Sequence, residues 1–518
     1  MLRKALFATS ILTIGCGIAF VAPLSAQDSK PLVIHESHHD ISMPLREMAP
    51  IPPRASSGRE IEPLRRRPST GREALEVPDG AVQSLPGPDV KVTNRLNFDG
   101  ISANGSAPPD TNGSVGATQF VQIVNTAYAV YDKGTGGLLL GPLAISTIWQ
   151  GFSGDCAAGD GGDPVVLYDK GADRWLVSQL NIAFNAYCLA VSTGSDATGS
   201  YARYEFAMFG NKLPDYPKLG VWPDAYYWSA NIFGNGAAEA CAFDRSSMLT
   251  GGSASAICFK QKLPVFSLLP SDLDGSTQPP AGEPAFFVDL SPPSTLKLFK
   301  FHVDFTTPAN STFTGPTLIS VAPFSLACHG GGTCIPQQGT KNVLDSLGDR
   351  LMFRLAYRNL GTSENLLVNH SVKAGQGTSN QTGVRWYLIQ DPNGTPAVAQ
   401  QGTFAPGTTT YRWMGSIAMD KLGDIAVGYS ASSKSRHPSI RFTGRIPTDP
   451  ANTLELESTV FEGAGSQTGG LNRWGDYSSM SIDPVDDCTF WYTTEYIPTN
   501  GSFNWQTRIA AFKFNTCH

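Results

Sequence analysis

One hairpin is written into this chain three times. Tyr168-Asp169-Lys170-Gly171-Ala172-Asp173 runs into Arg174-Trp175-Leu176-Val177-Ser178. Met419-Asp420-Lys421-Leu422-Gly423-Asp424 runs into Ile425-Ala426-Val427-Gly428, and Ile482-Asp483-Pro484-Val485-Asp486-Asp487 into Cys488-Thr489-Phe490-Trp491. Each copy is an apolar residue, an Asp, three turn residues, a second Asp and a strand. The first Asp ends one strand and can accept hydrogen bonds from the turn amides, and the second opens the return strand. Trp222-Pro223-Asp224, followed by Ala225-Tyr226-Tyr227-Trp228, is a shortened copy. A second element precedes the hairpins: Gly162-Asp163-Pro164, Pro214-Asp215-Tyr216-Pro217, Trp413-Met414-Gly415 and Trp474-Gly475-Asp476-Tyr477. Pro109-Asp110-Thr111-Asn112-Gly113 and Gly348-Asp349 read as further copies, with a faint one around Leu296 to Phe305. A unit of this kind cannot bury both faces alone, so units must stack. The expectation is an all-β protein, a β-propeller of six or seven blades around a central channel. A large sandwich or a pair of jelly rolls explains the paired Asp less well.

Composition supports short strands and many turns. The 518 residues include 53 Gly and 37 Pro, and only 16% are charged, which disfavours coiled coils and helical repeats. That average hides two regions. Residues 27–95 carry ten acidic and ten basic residues and ten Pro, including Arg65-Arg66-Arg67-Pro68. Such a stretch buries too little to offset its ordering entropy and is expected to be a disordered leader, its His35, His38 and His39 part of a solvated tail rather than a metal site. Residues 96–518 form the expected propeller domain.

Residues 1–26 read as a signal peptide: the basic Met1-Leu2-Arg3-Lys4, an apolar run to Val21, and Pro23-Leu24-Ser25-Ala26 before a cut. A retained anchor, or a lipoprotein through Cys16, is the weaker alternative. The chain is expected to be secreted or periplasmic, with no membrane span after signal removal. Eight cysteines then remain, an even number that suits disulfides in an oxidising compartment. Sequence order suggests Cys156–Cys188, Cys241–Cys258, Cys328–Cys334 and Cys488–Cys517. A formal charge of −6 disfavours nucleic acid as a partner. A monomer is expected.

The candidate ligand-binding residues are the Asp that precede the innermost strands, Asp110, Asp163, Asp215, Asp349 and Asp476, with Asn112. Equivalent positions on successive blades converge at one opening of a channel, where carboxylates raise one another's pKa or bind a cation. Arg354, Arg412 and Arg473, with Trp413, Trp474 and Tyr477, could clamp acidic groups or stack on sugar rings. A structural role, one Asp per blade bonding its neighbour's turn, explains the same residues. Asp272-Leu273-Asp274-Gly275-Ser276 has the start of a calcium loop without its closing ligands, so calcium is the one cofactor suggested, and a surface loop is the plainer reading. There is no GxSxG elbow, HExxH or phosphate-binding Gly loop.

Pro108-Pro109-Asp110-Thr111-Asn112-Gly113, and Asn472-Arg473-Trp474-Gly475-Asp476-Tyr477 running towards Cys488-Thr489-Phe490-Trp491-Tyr492-Thr493-Thr494-Glu495-Tyr496 with Thr507-Arg508-Ile509 after it, resemble a largely uncharacterised family of secreted bacterial propeller-like proteins. The resemblance implies a fold and export, and no reaction. It has a sialidase-like architecture without that family's Asp-boxes. The expected function is binding of an extracellular ligand, a carbohydrate or cell-surface polymer. The alternatives are a propeller glycoside hydrolase or polysaccharide lyase using channel-mouth carboxylates, and a structural or adhesion protein.

Overall fold

The computed structural model describes residues 30–518 apart from 54–57, 61–65, 68–75, 86, 90, 182, 184, 211, 234–236 and 376–378. The expected signal peptide lies outside the described residues.

Among the described residues, seven four-stranded antiparallel sheets are arranged as blades. Their innermost strands are Asn112–Val115 in blade I, Val165–Asp169 in II, Leu213–Val221 in III, Leu269–Asp274 in IV, Met352–Asn359 in V, Tyr411–Met419 in VI and Ser479–Ile482 in VII. Each innermost strand packs against the next, and blade VII returns to blade I, so the seven strands form a closed ring. The innermost strands of blades IV and V pair in parallel, Ser271 to Asp274 against Leu355 to Arg358. The opening is the end of the ring at which these two strands start, and the far end is where they finish. Strand Val92–Ser102 supplies the outer strand of blade VII by pairing with Gln506–Phe514. The ring is thus closed by joining the two sides of the chain, and this strand runs across the expected boundary at residues 95–96.

The three hairpins behave as their sequence implies. Asp169 accepts from the Ala172 amide at 3.1 Å, Asp420 from the Leu422 and Asp424 amides at 2.9 and 3.0 Å, and Asp483 from the Val485 amide at 2.9 Å. The faint copy at Leu296 to Phe305 is corrected: Thr295–His302 is the third strand of blade IV, and the innermost strand is Leu269–Asp274. That strand lacks the paired-Asp spacing, so it was hidden from the repeat.

Between blades the core is aromatic. Trp149, Trp175, Trp222, Trp228, Trp386, Trp413, Trp474 and Trp505 are all fully buried. The four disulfides join the cysteines in sequence order: Cys156–Cys188, Cys241–Cys258, Cys328–Cys334 and Cys488–Cys517. They fit a chain that matures in an oxidising compartment. Among the described residues, no helix is long and apolar enough to cross a membrane.

The described parts of 27–95 differ from the free leader expected of them. Leu32–His35 pairs with the outer strand of blade III, and His38–Ile41 with that of blade II. Val82–Gln83 pairs with the outer strand of blade V. An outer strand presents unpaired amides and carbonyls, and a short added strand satisfies them whatever its composition. His39 stacks on Tyr204 with ring centroids 5.9 Å apart, and His38 lies 3.3 Å from Glu205, so these histidines belong to a sheet edge rather than a solvated tail.

Candidate functional site at the opening of the channel

The innermost strands enter the ring through a recurrent backbone kink. Asp110, Asp163, Tyr216, Ser267, Met414 and Asp476 all have φ between +48° and +58° and stand at or just before these strands. Asp tolerates this left-handed conformation better than most residues because its short side chain bonds locally.

The ring brings Asp110, Asp163, Asp215 and Asp476 together, as the sequence implied, but it seals them in. Their exposures are 1, 4, 7 and 7%. The Asp163 carboxylate accepts the Tyr216 amide of the next blade at 3.0 Å, while its own amide donates to the Asn125 side chain at 2.9 Å. Arg473 donates to Asp476 at 2.6 Å within one loop. Lys218, fully buried, donates to the Pro217 carbonyl at 2.8 Å. Its ammonium lies 3.5 Å from the ring centre of Tyr216 and 3.9 Å from that of Tyr477. The Tyr477 hydroxyl donates to the Pro164 carbonyl at 3.0 Å.

A dry site cannot hold this many carboxylates ionised. Burial, then Asp476 and Asp163, push Asp110 well above the carboxylate range. Burial also raises Asp163, against the pull of Lys218. Asp215 is pushed up to about 7 by burial and by Asp163. Lys218 is brought down to about 8 by burial, and the carboxylates around it limit the fall. The group is a proton-sharing cluster whose protons belong to the set rather than to single residues. Glu495, buried beneath it and accepting the Gly475 amide at 2.5 Å, is likewise raised well above its usual range by burial.

Asp349 joins the opening differently. Burial would raise it, but Arg350, donating to it at 2.9 Å, holds it below the usual range. The Arg350 guanidinium also covers the Tyr216 ring at 4.7 Å.

The remaining sequence candidates are structural in their contacts. Asn112 accepts the Val166 amide of blade II at 3.0 Å. Arg412 forms a two-bond fork with Glu457 at 2.8 and 3.0 Å. Trp413 and Trp474 pack on each other with centroids 5.7 Å apart, both fully buried, so neither offers a face to a sugar ring, and the same holds for buried Tyr477. Residue type alone could not show this, because an aromatic suits a core and a binding face equally.

The calcium expectation is corrected. Asp272 and Asp274 are not in a surface loop; they end the innermost strand of blade IV. Arg354 reaches both of them, at 3.2 Å in the case of Asp272, and Lys170 donates to Asp274 at 3.2 Å. These cations take the positions a metal would need. Burial raises Asp274, but Arg354 and Lys170 outweigh it and hold the carboxylate below its usual range. Among the described residues, the only sets of three ligand atoms close enough for a metal each include two disulfide-bonded sulfurs.

Three residues of the site carried no flag in the sequence: Lys218, Arg350 and Glu495. Lys218 had a usable signal, a lone cation in the otherwise apolar run Tyr216 to Trp222.

No protein-family model matches the chain, and no curated protein matches it. Solved structures similar to it include the WD40 domain of SCAP from fission yeast, at 7% identity over 77% of this chain and 82% of that one, TM-score 0.31. A protein of unknown function from Dyadobacter fermentans is similar at 8% identity over 85% and 99%, TM-score 0.26. The extracellular domains 1–2 of Drosophila Semaphorin 1b are similar at 8% over 83% and 88%, TM-score 0.29. The propeller assignment stands on the closed ring of strands itself.

Proposed function

We propose that this is an exported propeller that binds an extracellular carbohydrate or cell-surface polymer and does not turn it over. The observation that carries the no-turnover half is the closure of the channel opening. The carboxylates that converge there are buried, Asp163 is bonded to the Tyr216 amide and Asp476 to Arg473, and Lys218 is buried beside them. A glycosidase needs two carboxyl groups standing open on either side of a glycosidic bond. The polymer half comes from the expected export and from the low-charge body.

Native affinity electrophoresis against a panel of soluble polysaccharides, with assay of reducing ends and unsaturated products in the same samples, tests both halves. Retardation by at least one polymer without product is expected. Product formation would overturn the binding reading, and no retardation by any polymer would overturn the ligand class. One observation favours a hydrolase or lyase as the second reading: Asp215, pushed up to about 7, could hold or give up a proton near neutral pH. Product that is lost in Asp215→Asn would establish that alternative.

A further inference from the structure

Beside the sealed carboxylates, between blades IV and V, the protein holds one of its own arginines as if it were a ligand. Arg66 and Arg67 come from the charge-rich stretch before the propeller. The Arg67 side chain is 4% exposed. Its guanidinium makes four hydrogen bonds. Nε donates to the Asp349 carbonyl at 3.0 Å, and one terminal nitrogen to the Pro264 carbonyl at 3.3 Å. The other donates to the Phe266 carbonyl at 2.9 Å and to the Asp289 carboxylate at 2.7 Å. The Arg67 amide donates to the Asp349 carboxylate at 2.8 Å. The Phe266 ring lies 5.4 Å below the guanidinium, and Arg350 lies 5.4 Å from the same ring. Arg66 adds a bond to Asp345 at 2.9 Å.

This niche is built by the propeller, not by the leader. Asp289 is fully buried, and its second carboxylate oxygen is held by Lys297 at 3.4 Å. The carbonyls of Pro264 and Phe266 and the Asp349 side chain are fixed by the connection into blade IV and the approach to blade V. One carboxylate, three carbonyls and an aromatic face meet the planar guanidinium from several directions, which an ammonium matches poorly. Arg67 reaches the niche from nearly 200 residues away in sequence, so its place there depends on tertiary docking rather than local chain geometry.

We propose that this niche is an arginine-recognition site that the chain fills with its own Arg67, and that an arginine-bearing segment of another polypeptide binds there by displacing the leader. This goes beyond the polymer-binding reading and does not depend on it. Its partner is a basic peptide, and the polysaccharide panel above neither supports nor weakens it.

The test uses a fluorescein-labelled peptide of residues 63–70, Pro-Leu-Arg-Arg-Arg-Pro-Ser-Thr, and the full mature chain, read by fluorescence anisotropy. Arg67→Ala empties the niche and is expected to bind the peptide at least ~10-fold more tightly than the wild type, which must first release its own arginine. A second peptide with Lys at the position of Arg67 is expected to bind the variant at least ~10-fold more weakly, because it cannot make the forked contacts. That comparison uses one protein sample and is independent of any change in its stability. Equal binding by wild type and variant, no binding by a variant that melts cooperatively, or equal binding of the Arg and Lys peptides would each overturn the proposal.

Discussion

The two ends of the channel use the same residue types to opposite effect. At the far end most buried carboxylates have a cation, the exception being Asp420, which burial and Asp424 push up to about 7. Asp274 has Arg354 and Lys170, Asp487 has Arg358 at 2.8 Å, Asp483 has Lys133 at 2.9 Å, and Asp169 has Arg245 at 2.6 Å. Most of these pairs cross from one blade to another, so they lace the ring. At the opening, Asp110, Asp163, Asp215 and Asp476 crowd around Lys218 and Arg473, and the excess is met by protons rather than by cations. Burial is similar at both ends. Where cations outweigh burial, as at Asp274, the carboxylate is held low; where carboxylates outnumber cations, as around Asp110, burial raises them instead.

Removing a cation from the balanced end should cost most. Arg354→Ala leaves Asp272 and Asp274 buried with too little compensation, and a loss of about 3–5 kcal/mol is expected in denaturant unfolding. A loss below about 1 kcal/mol would mean that water or Lys170 replaces the guanidinium, and that the two ends differ less than their geometry implies.

A smaller effect separates the ends by pH. Asp215 holds its proton more tightly when folded, its value raised to about 7. The folded state therefore carries the extra proton between the ordinary carboxylate value and about 7, and its contribution to stability falls as pH rises through that window. Asp274, held low, acts in the other direction: its contribution is present at neutral pH and is lost as pH falls below the ordinary carboxylate value. Asp215→Asn should flatten the fall between pH 4 and 7 by an amount on the order of 2 kcal/mol, measured as unfolding free energy against pH. Asp274→Asn should leave that window unchanged and lower stability at neutral pH.

The smallest effect is expected at Asp110. An Asn has nearly the shape of the protonated carboxyl, so Asp110→Asn should change stability by less than about 1 kcal/mol at pH 7. A loss as large as that of Arg354→Ala would show that Asp110 is charged and structurally paired.

How much of this was legible follows from how local each signal is. The hairpin Asp were readable because Asp169, Asp420 and Asp483 bond amides two to four residues away. The convergence of Asp110, Asp163, Asp215 and Asp476 followed from repetition plus a ring. Their burial did not, because it depends on Tyr216, Tyr477 and Lys218 closing over them from different blades. Blade IV was misplaced because Asp272-Leu273-Asp274-Gly275 looks like a cation loop until Arg354, some 80 residues later, is seen beside it. Trp413, Trp474 and Arg412 were the right residues to notice and the wrong ones to place on a surface. The described parts of residues 27–95 depart from expectation most instructively. A Pro-rich, charged composition predicts no core of its own, and that is compatible with short strands and one arginine that borrow the propeller's unpaired edges and acidic niche.

The cluster at the opening is tested most directly by titrating the carboxyl carbons of aspartate in the mature, 13Cγ-Asp-labelled protein by NMR. A resonance with a midpoint near 7 that disappears in Asp215→Asn is predicted. Asp420 at the far end is itself pushed up to about 7, so the deciding signal is the one assigned by Asp215→Asn: if that substitution removes no midpoint near 7, the opening does not hold the proton and the difference drawn between the ends is wrong.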